Sequence, residues 1–85
     1  MPISSSVDHD RAVTDLDARI RELEAQEREI SARRKRLHER LAFFPSELGE
    51  QQEHEISAQR RALQRELDLL RVERNRARDE REAAR

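Results

Sequence analysis

The sequence predicts an all-α protein of two long helices paired as an antiparallel coiled coil. Three observations carry that expectation. Leu and Ile recur at intervals of three, four and seven over most of the chain. The composition is rich in Arg, Glu, Ala and Leu, with 44% charged and 2% aromatic residues. The periodicity breaks once near the middle, where Pro45, Ser46 and Gly49 cluster. With 85 residues and a mean hydropathy of -1.13, the chain cannot wrap a layered core, so its apolar stripe must be buried against another helix.

Positions 1–9, with Pro2 and three consecutive serines, lack periodicity and read as a mobile arm ending near an N-cap at Asp8 or Asp10. Helix one is expected over 10–44. Leu16, Leu23, Ile30, Leu37 and Phe44 form one heptad row, and Val13, Ile20 and Leu41 a second that is interrupted by Glu27 and Arg34. Positions 45–49 are expected to turn, because Pro45 disfavours helical geometry at Phe44, Ser46 is a good cap and Gly49 lowers helix propensity. Helix two is expected over 50–85, with a seam of Ile56, Leu63, Leu67, Leu70 and Ala77, and with Glu53, Arg60 and Arg74 in its other row.

Four of these charged residues in core-type positions, Glu27, Arg34, Glu53 and Arg60, belong to an internal repeat. Aligning 27–42 with 53–68 matches Glu27 to Glu53, Ile30 to Ile56, Ser31 to Ser57, Arg34 to Arg60, Leu37 to Leu63 and Leu41 to Leu67. The second copy continues through Gln64 and Asp68, where the first has His38 and Ala42. Glu53, Ser57, Arg60, Gln64 and Asp68 therefore stack in one narrow stripe about 20 Å long. The stripe offers two carboxylates, a guanidinium, an amide and a hydroxyl beside the apolar seam, a mixture suited to a large polar ligand that bridges helices. A guanine base shows acceptors at O6 and N7 and donors at N1 and N2, which an Arg fork such as Arg60 and a carboxylate such as Asp68 can read. The competing reading of Glu53 and Arg60 is that they are seam residues that set register by ion pairing.

The spacing Glu53, Ser57, Arg60, Gln64, Asp68 resembles the signature of the RsiG family of actinobacterial anti-sigma factors. That resemblance implies a pair of cyclic di-GMP molecules gripped between antiparallel helices by those five residues, and a loaded coiled coil that sequesters a WhiG-type sigma factor. It further implies the small type of member, which carries one motif and completes the site as a homodimer. Glu27, Ser31 and Arg34 match the first three positions, but His38 and Ala42 depart from the rest, so the first copy reads as a relic or an incomplete half-site. The expected mechanism is ligand as glue: without nucleotide, Glu53 and Arg60 interrupt the seam and weaken pairing, and with nucleotide they are satisfied. A structural coiled-coil adaptor that needs no nucleotide is the alternative.

Other classes are disfavoured by what the chain contains. With 18 basic and 19 acidic residues interspersed, no uniform field draws it to DNA or to an anionic membrane. The run Arg33, Arg34, Lys35, Arg36 is read as a solvated face, because successive helical residues point in different directions. Three histidines at unrelated spacings and no cysteine argue against a metal site, and no nucleophile with a positioned base points to an enzyme. No segment reads as a signal peptide or a membrane span, so a cytoplasmic protein is expected. Leu69 and Val72 lie off the seam and are candidates for a surface that meets a partner.

Overall fold

The computed structural model describes residues 2–83, with side chains from Asp10 onward. It is an all-α hairpin in which α1 (Pro2–Phe43) and α2 (Glu47–Ala83) pack antiparallel into a rod 64 × 15 × 14 Å. No strand occurs among the described residues, and no helix is long and apolar enough to cross a membrane. Helix one thus packs on its own helix two.

Three boundaries differ from expectation. The segment 2–9, read as an arm with a cap at Asp8 or Asp10, is the first part of α1. Proline is well tolerated at a first helical position, where its fixed φ suits the helix and its missing N–H would have had no partner; serine costs only a few tenths of a kcal/mol per residue in helical geometry. Asp10 then serves the helix interior: its carbonyl accepts from Thr14 Oγ1 at 2.9 Å, and its carboxylate meets Arg81 Nε at 3.0 Å. Met1 and positions 84–85 lie outside the described residues. Phe44, expected in the seam, sits in the connection and is 75% exposed, since Pro45 ends α1 at Phe43.

The connection is shorter than expected, and α2 starts at Glu47. Ser46 is its N-cap, with Oγ accepting from Gly49 N at 3.0 Å and the Ser46 carbonyl accepting from Glu50 N at 3.0 Å. Gly49, expected in the turn, lies in the first helical turn with negative φ. Its role is close approach: a Cβ there would stand 2.5 Å from Leu41 Cδ2 and 2.8 Å from Ser46 Oγ. Such a short link forces the two helices to be antiparallel neighbours.

The seam residues face inward as the heptads require, yet burial is uneven. Ile20, Leu23 and Leu67 form the core at 1–3% exposure, with Leu63 and Leu70 packed against them, and Val13 is buried as well. Nearer the connection, Ile30, Leu37, Leu41 and Ile56 are only half-buried. Towards the open end, acids at heptad spacing on α1 meet arginines on α2. Asp10 pairs with Arg81, Asp17 with Arg74 and Arg78, and Glu24 with Arg71, at 3.0 to 3.5 Å. Each partly exposed pair contributes at most about 1 kcal/mol, but together they favour this orientation and register over a slipped one.

Candidate functional site

The interrupted heptad rows meet at mid-hairpin. Glu53 Oε1 accepts from Ser57 Oγ at 2.9 Å, from His38 Nε2 at 3.0 Å and from Arg34 Nε at 3.4 Å, while Arg34 Nε also reaches Ser57 Oγ at 3.0 Å. Because a carboxylate only accepts, His38 must carry its proton on Nε2 in this contact. Glu27 Oε1 in turn accepts from Ser31 Oγ at 2.8 Å and from Arg60 Nε at 3.1 Å. The alignment that matches Glu27 to Glu53 and Arg34 to Arg60 also turns one of these clusters into the other, so the hairpin has an internal pseudo-two-fold axis. Each copy presents its Glu–Ser pair to the other copy's arginine.

The charges settle accordingly. The hydrogen bond from His38, followed by that from Ser57, holds the Glu53 carboxyl down at about 2, against a partial opposing effect of desolvation. Glu27 is lowered too, by Ser31 first and then by Arg60. Both acids therefore stay ionised at neutral pH. The expectation that Glu53 and Arg60 stand unsatisfied and weaken the seam is corrected: each already has a partner on the opposite helix.

The five motif residues consequently divide. Glu53, Ser57 and Arg60 are held in the interhelical clusters together with Glu27, Ser31 and Arg34 from the first copy. The Gln64 side chain makes no hydrogen bond among the described residues, and the Asp68 carboxylate, 77% exposed, has only Arg71 Nη1 at 3.8 Å. These two line a hollow of about 350 Å³ with Glu24, Glu27 and Arg28 of α1 and Leu67 and Arg71 of α2. Its pseudo-symmetric counterpart, about 230 Å³, is lined by His38, Leu41, Glu50, Glu53 and His54. Under the repeat, His38 stands for Gln64, His54 for Arg28 and Ala42 for Asp68, so the second hollow lacks the outer carboxylate and the cation beside it. A third hollow, also about 350 Å³, is lined by Ser31, Arg34, Lys35, His38 and Arg60.

Sequence reasoning did not single out Arg28 and Arg71, nor His38 as the partner of Glu53. Helical spacing offered a signal for the arginines: Arg28 follows Glu24 by four and Arg71 follows Asp68 by three, placing each beside an acid on its own helix. No cluster of His, Asp or Glu fit to hold a metal ion occurs among the described residues. No protein-family model matches the chain, and no curated protein or solved structure does either.

Proposed function

We propose that this chain is a cyclic di-GMP-responsive anti-sigma factor of the RsiG kind, whose loaded form sequesters a WhiG-type sigma factor. The observation that supports it best is the division of the motif. Glu53, Ser57 and Arg60 are engaged across the helices, whereas Gln64 and Asp68 stand open in a hollow with Arg28 and Arg71 close by. That set has the donors and acceptors a guanine nucleotide needs. Asp68 accepts from guanine N1–H and N2–H, a guanidinium donates to O6 and N7 or grips phosphate, and Gln64 adds a neutral hydrogen bond.

The hollow takes residues from both helices, so a nucleotide seated there bridges α1 and α2 and stabilises their pairing by mass action. A partner that requires the ordered hairpin then binds more tightly, by the same coupling free energy. The second hollow has Ala42 at the position of Asp68, so it lacks the acid that accepts from guanine N1–H and N2–H in the first. A pair of ligand molecules is therefore completed by a second chain, each contributing its full motif, and the loaded species is a dimer.

One observation favours the structural adaptor instead. The Glu27–Arg60 and Glu53–Arg34 pairs satisfy the seam charges within the chain itself. Calorimetric titration with cyclic di-GMP separates the two readings. Saturable binding that is lost in Asp68→Ala and Gln64→Ala, with light scattering at twice the chain mass, supports the sensor. No binding by a chain shown to be helical leaves the adaptor.

A further inference from the structure

The basic run 33–36 is sorted by the hairpin. Arg34 turns to Glu53, whereas Arg33 and Arg36 join Arg40 along a groove on the other side of the seam from the motif. This groove, about 430 Å³, has Leu37 and Ile56 at its floor and Gln52 and Gln59 on its α2 wall. Two features of it bear on a partner. Among the described residues Arg33, Arg36 and Arg40 make no ion pair or side-chain hydrogen bond, so three guanidiniums on one groove are left to solvent, whereas Arg34, Arg60, Arg71, Arg74, Arg78 and Arg81 meet acids on the opposite helix. The floor is also half-open, at the end of the seam that lacks the deep burial of Ile20, Leu23 and Leu67. Next to it, Phe43 and Phe44 at the connection are 79% and 75% exposed.

We infer that this groove docks an acidic amphipathic helix of a partner protein. Grooves between paired helices accept a third helix through anchors at i, i+3, i+4 and i+7. Apolar anchors cover Leu37 and Ile56 and reach the exposed phenylalanines, while flanking carboxylates meet the three free guanidiniums as charge-assisted hydrogen bonds. Glu55 is the one acid lining the groove, and it disfavours a ligand of unbroken negative charge. A nucleic-acid backbone would neutralise the arginines but leave the apolar floor uncovered. A second copy, related by a two-fold axis through the groove, would set arginine against arginine. Because the groove lies across the seam from the motif, the inference stands whether or not the chain binds nucleotide.

The test uses the full chain and a fluorescein-labelled synthetic amphipathic peptide with Leu at heptad a and d positions and Glu on the flanks, followed by anisotropy. Two control peptides replace Glu by Lys or Leu by Ser, and a single-stranded oligonucleotide is the remaining probe. The Leu/Glu peptide is expected to bind, and both controls and the oligonucleotide to bind at least roughly tenfold more weakly, a difference of about 1.4 kcal/mol. The combined change Arg33→Gln, Arg36→Gln, Arg40→Gln breaks no ion pair or side-chain hydrogen bond among the described residues, so helicity is expected to persist while peptide affinity falls by a similar factor. Phe43→Ser with Phe44→Ser, at exposed sites, weakens the same peptide. No binding of the Leu/Glu peptide, undiminished binding by the arginine variant, or equal binding of the Ser peptide or the oligonucleotide overturns the inference.

Discussion

Glu53 shows how a residue acquires a role that its sequence neighbours do not announce. Its place in the stripe follows from helical spacing, but His38, which the repeat alignment marks only as a departure from Gln64, becomes its donor because the hairpin brings the copies into register. A carboxyl held at about 2 when folded and near 4.5 when free stabilises the fold fully above the higher value. That contribution is lost as pH falls from about 4.5 towards 2. Thermal melts followed by circular dichroism should therefore show the midpoint dropping over this window, with a shallower drop in Glu53→Gln. At the outer end of the stripe the expectation reverses. Asp68→Ala removes an exposed carboxylate with one loose neighbour and leaves the melting temperature nearly unchanged, since alanine is the better helix former. Arg60→Ala leaves Glu27 without its cross-helix partner and lowers stability by up to about 1 kcal/mol. Nucleotide titration of both variants checks the proposed ligand role, and denaturant melts of the free proteins check the difference in stability.

At the scale of the elements, the position of the break was legible because proline restricts the residue before it and serine caps the helix after it. The reason for Gly49 was not. Close approach between two helices depends on how they cross, and that is absent from a one-dimensional pattern; low helix propensity was the only visible signal, and it pointed to a turn. The structure makes the two residues separable. Ser46→Ala removes the acceptor for Gly49 N and costs about 1 kcal/mol. Gly49→Val forces a side chain into Leu41 and the capping hydroxyl, so destabilisation of about 1–3 kcal/mol is expected, typical of overpacking. Urea unfolding of the two variants should rank them in that order. The helical start at Pro2 was illegible for the converse reason: serines and a proline carry no apolar periodicity, and their modest propensities do not forbid a helix that the following turns have already nucleated.

For the whole molecule, heptad patterning showed that each helix needs a partner but not which one, since a seam is buried equally well by the same chain or by another. The short connection and the opposite signs of Asp10, Asp17 and Glu24 against Arg71, Arg74, Arg78 and Arg81 select the hairpin. The charged clusters should obey the same geometry, and a charge swap tests it. Arg34→Glu alone sets two carboxylates against each other beside Ser57, and Glu53→Arg alone does the same with two guanidiniums, so both single variants should melt below the parent. Combining the changes in one chain restores opposite charges across the hairpin and should recover most of the lost melting temperature. Mixing the two single variants in equal amounts distinguishes the architectures. In a hairpin, each chain still faces its own mismatched partner, and the mixture should melt as the singles do. If the pairing instead ran between chains, each mixed pair would place Glu at 34 against Arg at 53, with arginine at 34 facing glutamate in the other half, and the mixture would recover. Recovery on mixing, together with a ligand-free mass of two chains by light scattering, would overturn the single-chain hairpin.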